Sequence, residues 1–419
     1  MTPRRASARR GVVRWAGYVP DMLNPAASRL ACYAVTAPGL GPIAAAELTP
    51  LVGAPVAPDV GGVAFSATAA ELYRVNLWSR VASRVLVRVA EFEAAHFSEL
   101  QRESEQIRWE QFVGPRDAVR VRVTCRKSRL YHSDAVAERV GEAIRRRTGA
   151  VVVDGGPEDD DEAGGAQLIV VRLLHDQCTI SADSSGELLH RRGYRQAVAK
   201  APLRETLAAA MLRAAGYDGS GPLLDPLCGS GTIPIEAALI ARCVAPGRHR
   251  SFAFERWLDF DAAAWHALRA RADEGVRSFA PHAIAGSDRD AGAVRAAIAN
   301  AERAGVAEDV TFEHRALSAA VPPASPDAPG WLVTNPPYGK RLGEADALRD
   351  LWARLGQFAR VRCPGWRMAV LAPGGLVGAR LDVPLETAAD TRNGGLAVDI
   401  AVGAVPRAAD HGVRDAVPA

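Results

Sequence analysis

Hydrophobic positions along the chain fall into short runs that switch between a period of two and a period near 3.6, the spacings of strands and helices. Residues 32 to 36 read as a strand, Pro38-Gly39-Leu40-Gly41 as a turn, and residues 42 to 48 as a helix with its proline at the start. Residues 62 to 65 and 85 to 89 read as strands on either side of a helix at 69 to 77. This strand and helix alternation predicts a small α+β unit. Helical text then runs from 97 to 112, followed by Val119-Arg120-Val121-Arg122-Val123, with valines on one face and arginines on the other. A helix capped by Ser133 places Val136, Val140 and Ile144 four residues apart and ends at Arg145-Arg146-Arg147 before Gly149. Strands at 168 to 173 and 179 to 182 close this second unit.

From residue 188 the texture changes again. Strand-like runs at 223–225, 283–287, 310–313, 331–334 and 368–371 alternate with helical patterns at 233–243, 291–305 and 348–361. That alternation predicts an α/β domain, a parallel sheet with helices on both faces. Thr391-Arg392-Asn393-Gly394-Gly395-Leu396 then predicts an Asn-Gly hairpin between two final strands. The expected organisation is a disordered basic tail at 1–28, units at 29–95 and 96–186, and a larger α/β domain at 187–410.

Composition narrows the class. No apolar run reaches the roughly 18 residues of a membrane-spanning helix, and residues 1–28 lack the apolar core of a secretory signal. The six cysteines never form a C-x-x-C pair, which argues against a zinc ribbon and a disulfide scaffold. A reduced, cytoplasmic protein with no metal and no membrane partner is expected, acting as a monomer. The net charge of +3 hides a lopsided composition in which Lys127, Lys200 and Lys340 are the only lysines among 51 basic residues. A GC-rich coding sequence accounts for that total, so only local clusters carry weight.

One cluster stands out. Nine basic residues face three acidic ones between Arg120 and Arg147. The arginines ending the helix suit its dipole. Those of Arg126-Lys127-Ser128-Arg129-Leu130-Tyr131-His132 need another reason, and contact of Arg126, Lys127 and Arg129 with RNA phosphates supplies one. A second basic stretch, Leu189-His190-Arg191-Arg192-Gly193-Tyr194-Arg195, precedes the first strand of the α/β domain. Arg191, Arg192 and Arg195 are expected at the mouth of its pocket, on RNA. The acidic run at 158–162 reads as a solvated loop.

The chemistry sits in two motifs. Asp225-Pro226-Leu227-Cys228-Gly229-Ser230-Gly231-Thr232 leaves a strand and enters a helix, where open α/β sheets bind ligands. A P-loop would need a lysine after Gly231, and a dinucleotide fingerprint would need a glycine where Pro234 stands. S-adenosylmethionine fits better, because it carries no phosphate and its cationic amino group suits Asp225. Glycines at 229 and 231 then let backbone approach the ligand closely. Asp288, ending the second strand, is placed to take ribose hydroxyls, and Asp290 to cap the next helix.

The second motif, Asn335-Pro336-Pro337-Tyr338, follows the fourth strand. The amine of a base is a poor nucleophile because its lone pair is delocalised into the ring. Asn335 Oδ1 and the Pro336 carbonyl can hold its two N–H bonds, while Tyr338 stacks on a base extruded from its helix.

These motifs, in order with Ala201-Pro202-Leu203, resemble the THUMP-domain RNA guanine-N2 methyltransferases, closest to the RlmL-type enzymes of large-subunit rRNA. The resemblance covers about residues 30 to 405. It implies a ferredoxin-like domain, a THUMP domain gripping structured RNA (rRNA or tRNA), and a Rossmann-like class I methyltransferase domain whose sheet ends in an antiparallel hairpin. It also implies S-adenosylmethionine as cofactor, bound by Asp225, Leu227, Cys228, Gly229, Gly231, Thr232 and Asp288, with Asn335, Pro336 and Tyr338 catalytic. Residues 252–265 become a family insertion in the first crossover. One departure is Ala316, which stands where family members carry an acid for the adenine. The rival readings are a tRNA guanine-N2 methyltransferase, an adenine-N6 DNA methyltransferase and a non-enzymatic RNA-binding factor.

Overall fold

The computed structural model describes residues 29–153, 165–195, 203–324, 328–337, 345–373 and 381–407, with the side chains of 345–348 excepted. The basic tail, the acidic run at 158–162 and Tyr338 lie outside the described residues.

The first part of the chain builds one sheet of eight strands from β1 (Leu30–Val35), β2 (Ala57–Asp59), β3 (Gly62–Ala67), β4 (Arg84–Glu93), β5 (Ala118–Arg126), β6 (Val151–Val153), β7 (Gln167–Leu174) and β8 (Gln177–Asp183). Their order is β2-β3-β1-β4-β8-β7-β5-β6. Four helices accompany them: α1 (Gly41–Val52), α2 (Ala69–Trp78), α3 (Phe97–Glu105) and α4 (Ser133–Thr148). The two units expected from sequence are fused through β4. It pairs with β1 over Arg84 to Val87 and with β8 over Leu86 to Glu93, with a register shift between Arg88 and Ala90.

Local sequence explains most boundaries. Thr68 and Glu71 form a capping box that starts α2. Two expectations shift. The helix expected over 97 to 112 stops at Glu105, and a 3-10 turn follows at Trp109–Gln111, driving Trp109 into the core at 0% exposure. Ser133 is the first residue of α4 and not its cap; His132 holds that place, with no side-chain capping bond.

The second part follows α5 (Glu205–Ala214). Strands β9 (Leu223–Asp225), β10 (Ile284–Asp288), β11 (Val310–His314), β12 (Trp331–Thr334), β13 (Arg367–Pro373), β14 (Glu386–Asn393) and β15 (Leu396–Ala404) form one sheet. Its order is β11-β10-β9-β12-β13-β15-β14. The first five strands are parallel and the last two antiparallel to their neighbours. Helices α6 (Thr232–Ala241), α7 (Ala262–Glu274), α8 (Ala291–Ala304) and α9 (Ala345–Arg362) make the crossovers. The final hairpin turns one residue later than expected. Asn393 pairs with Leu396, so Gly394 and Gly395 occupy the two positions of positive φ, 55° and 83°.

The parts share a core. One cluster of buried side chains runs from Cys32, Leu48 and Leu77 through Leu212 and Ile235 to Ile400. The segment 252–265 seals the join. Tyr73 of α2 stacks on Phe254 with ring centres 4.5 Å apart, and Phe252, Phe260 and Trp265 close around them. Trp257 donates its ring N–H to Gln167 of β7 at 3.0 Å. The six cysteines are unpaired. Among the described residues, no helix is long and apolar enough to cross a membrane.

Candidate active site

Strand β9 lies between β10 and β12, where the direction of strand order reverses. In such sheets ligands bind outside the carboxyl ends of the strands at that point. Three of the expected groups stand there, on β9, β10 and the segment leaving β12.

Asp225 is 1% exposed. Its Oδ1 accepts from the Leu227 amide at 3.1 Å and from the Thr334 hydroxyl at 2.6 Å. Burial raises its carboxyl to about 7; the hydrogen bonds from Thr334 and Leu227 oppose the rise, and the charge of Asp288 adds to it. The Thr334 bond fixes the end of β12 against the end of β9, and so locates Asn335 beside the glycine turn.

The glycines divide the work of the turn. Gly229 has φ +52°, and an added Cβ would meet nothing within 4 Å, so the space above it is open. At Gly231, with φ +81°, a Cβ would lie 2.8 Å from the Phe312 ring and 2.9 Å from Ala297 Cβ. Close packing against β11 and α8 therefore accounts for Gly231, where the sequence suggested close approach of the ligand. Asn300 of α8 donates to the Ser230 carbonyl at 3.0 Å and pins the turn.

Asp288 anchors the turn from β10. Its Oδ2 accepts from the Gly229 amide at 3.0 Å and its Oδ1 from the Asp290 amide at 2.9 Å. Each oxygen keeps lone-pair capacity for a further donor. Asp290 caps α8 as expected, accepting from Gly292 and Ala293. Cys228 is buried, its thiol held well above the usual range chiefly by burial, and it contributes shape, not a nucleophile. Leu227 is half-buried, and Thr232 opens α6. Ala316 is exposed just beyond β11, while the neighbouring Arg315 amide donates to the Asp288 carbonyl.

Asn335 carries the most telling feature. Its Oδ1 is buried and has no hydrogen-bond partner among the described residues. A buried unpaired amide oxygen costs about 1–3 kcal/mol, a cost that a donor on a bound ligand would remove. Pro336 is buried beside it and Pro337 exposed.

The basic residues separate into two kinds. Arg126 and Lys127 are exposed on the turn after β5, with Lys127 at φ 49°. Ser128 and Asp176 hold that turn against the β7–β8 connection: the Asp176 amide donates to Ser128 Oγ at 3.0 Å and the Arg129 amide to Asp176 Oδ1 at 2.7 Å. Arg129 is exposed, but its charge faces Asp176 at 3.8 Å. Tyr131, 69% exposed with its ring 4.1 Å from that of His132, adds a stacking surface that the charge pattern alone did not single out.

Arg192 and Arg195 are structural ties, not surface contacts, which corrects the expectation for both. The Arg192 side chain is 3% exposed; it donates to the Leu189 and Arg80 carbonyls and pairs with Glu236 of α6 at 3.4 Å. Arg195 pairs with Glu205 at 3.3 Å and donates to the Leu203 carbonyl. Arg191 is half-buried and lies away from the glycine turn, in a cavity against β4 and β5. His190 is half-buried, its imidazole pushed down to about 3 by burial and by Arg204, Arg195, Arg192 and Arg191, so it is neutral.

Known proteins share the domains and the fold. Residues 31–86 match the RlmL ferredoxin-like domain, 94–183 the THUMP domain, and 192–376 the RMKL-like methyltransferase domain. A protein of Synechocystis sp., slr0064, provisionally named an RNA methyltransferase, is 36% identical over 380 residues, 90% of this chain and 97% of that one. The ribosomal RNA large subunit methyltransferase K/L of Syntrophotalea carbinolica is 40% identical over 80% of this chain. The chain spans 48% of that relative, about half its length. The crystal structure of SMU.472, provisionally named a methyltransferase and complexed with SAH, matches with a TM-score of 0.77 at 28% identity, covering 89% of this chain and 97% of that one. The chain belongs to the family of S-adenosylmethionine-dependent RNA methyltransferases that join an RlmL-type ferredoxin-like domain and a THUMP domain to an RMKL-like class I methyltransferase domain.

Proposed function

We propose that the protein methylates the exocyclic N2 of a guanine in large-subunit ribosomal RNA, acting as a monomer in the cytoplasm. The observation that carries this reading is the buried, unpartnered Oδ1 of Asn335 beside the Asp225 turn. S-adenosylmethionine supplies an electrophilic methyl group. The residues around it would hold that donor and prepare the acceptor amine.

Asp225 would face the amino group of the donor and Asp288 its ribose, with Gly229, Leu227, Cys228 and Thr232 shaping the cleft. Asn335 Oδ1 and the Pro336 carbonyl would accept the two N–H bonds of the amine. That pair of hydrogen bonds turns the nitrogen lone pair out of conjugation and toward the methyl group. A ring nitrogen such as N7 carries no hydrogen, so an unpaired acceptor does nothing for it. The methylated amine is briefly cationic and loses a proton readily, so no strong base is needed. Tyr338 would stack on the flipped base.

RNA as the substrate class is supported by the THUMP match and by the names of the relatives. On this reading Arg126, Lys127 and Arg129 meet phosphates, and the chain divides into a ferredoxin-like unit to residue 95, a THUMP unit at 96–186 and a methyltransferase domain at 187–410. The test is methylation of a 23S rRNA transcript, a tRNA pool and duplex DNA with labelled donor, followed by nucleoside analysis. N2-methylguanosine from the 23S transcript is expected. N2-methylguanosine from tRNA alone would replace the substrate, and N6-methyladenine from DNA would overturn the reading.

A further inference from the structure

Six arginines from four separate segments line one cavity of about 430 Å³ between the eight-stranded sheet and the segments 186–193 and 249–256. Arg84 comes from β4, Arg120 from β5, Arg191 and Arg192 from the link before α5, and Arg250 and Arg256 from the crossover between α6 and α7. None of its lining belongs to the 225–232 turn, to 286–288 or to 334–337.

Charge decides what the cavity takes. Asp183 pairs with Arg84, and Glu236 with both Arg192 and Arg80, from behind the wall. Glu187 is the one carboxylate among the described lining residues, against six guanidiniums. Arg250 shows the strain of that crowding. Its terminal nitrogens donate to the Leu188 and Glu187 carbonyls, but its Nε is buried without a partner among the described residues. Burial and the charge of Arg192 lower its guanidinium to about 10. An anion entering the cavity would relieve both effects.

The size and the rim identify the anion. Ligand sites of roughly 300–1,000 Å³ admit a nucleotide, far more than a bare phosphate needs. Gly193, His249, Ser251 and Arg256 are exposed at the rim, so a polymer can enter and leave. Leu168, Phe252 and Ala253 give one wall an apolar face.

We propose that this cavity holds one nucleotide of the RNA substrate by its phosphate, clamping the strand between the THUMP unit and the methyltransferase domain at a distance from the reacting base. The proposal rests on RNA being the substrate. Its gain is geometric: a second fixed point on the strand sets how the target base reaches Asn335.

The test pairs the substitutions R191A and R256A, since neither side chain belongs to the buried ion-pair network. Anisotropy with a labelled 23S rRNA fragment should show about tenfold weaker binding, with the slope of log affinity against log salt reduced by about 1.5. Affinity for S-adenosylmethionine and the melting temperature should not change. If the alanine pair lowers the melting temperature, R191Q with R256Q serves instead, with the same expected loss. Wild-type protein that binds no RNA would overturn the substrate reading and this proposal together. RNA binding untouched by the substitutions would overturn the cavity alone. If guanosine 5′-monophosphate raises the wild-type melting temperature, and the variant loses that shift while keeping full RNA affinity, the site serves a free nucleotide and not the strand.

Discussion

At the carboxyl edge of the seven-stranded sheet, polar groups turn inward. Asp225 is bonded to Thr334 and Leu227, Asp288 takes two backbone amides, and Asn335 keeps one acceptor unfilled. At the far end of the eight-stranded sheet the polar groups turn outward. Arg126 and Lys127 stand exposed on a turn whose backbone is fixed by Ser128 and Asp176. Both ends are rigid, but for opposite purposes. A small ligand and a methyl transfer need preorganised groups in a dry site, where each hydrogen bond is strong. A polyanion brings its own charge and releases its own counterions, so it needs charges left in water. The buried tie of Arg80 and Arg192 to Glu236 of α6 joins the two regimes.

Four variants test that division. Asn335→Ala should cost the most, on the order of 10³-fold in kcat, comparable to losing one aligned polar group in other active sites. Donor affinity should stay within about twofold, and a parallel loss in calorimetric titration would place Asn335 in cofactor binding instead. Arg192→Ala should come next, lowering stability by about 3 kcal/mol in urea unfolding, because it removes one of the two guanidiniums that face buried Glu236 and the donor of the Leu189 and Arg80 carbonyls. An unchanged midpoint would mean that the shared apolar core, and not this ion pair, holds the two parts together. Arg126→Ala with Lys127→Ala should weaken RNA binding about tenfold with kcat at saturating RNA unchanged. Lys127→Gly, which frees a residue held at positive φ, should keep the fold at least as stable while losing the same share of affinity. A fall in kcat at saturating RNA would show that the outward end also shapes the chemistry.

The sequence was most legible where function rests on local chain. The Asp225-to-Thr232 turn, the Asn335 motif, the Asp290 cap and the strand and helix alternation are all written in consecutive residues, and the fold follows them. The rest depends on partners distant in sequence. Arg191, Arg192 and Arg195 look alike in the chain, but Glu236 and Glu205 bury two of them and leave the third beside a cavity. Gly231 looks like a ligand contact until Phe312, 81 positions later, packs against it. The hairpin moved by one residue because Asn-Gly and Gly-Gly both tolerate the two positive φ values, and the pairing register chose between them. Fusion of the first two units was hidden in β4, whose ten residues pair with β1 and β8, where the pattern suggested a strand half as long.

A pH dependence isolates Asp225. With its carboxyl raised to about 7 by burial, against about 4 in an unfolded chain, the native state binds more protons than the unfolded state between those values. Stability therefore falls as pH rises from about 4 to 7, and levels off above. Cofactor affinity should run the other way. The amino group of S-adenosylmethionine favours the ionised carboxylate, so affinity should rise with pH up to about 7, by less than tenfold per unit. Calorimetry in buffers of different ionisation enthalpy should detect a proton released on binding at pH 6.5, and Asp225→Asn should abolish that release. Proton release that persists in Asp225→Asn would assign the titration to another group and reduce Asp225 to a strut that holds Thr334, and with it Asn335, in place.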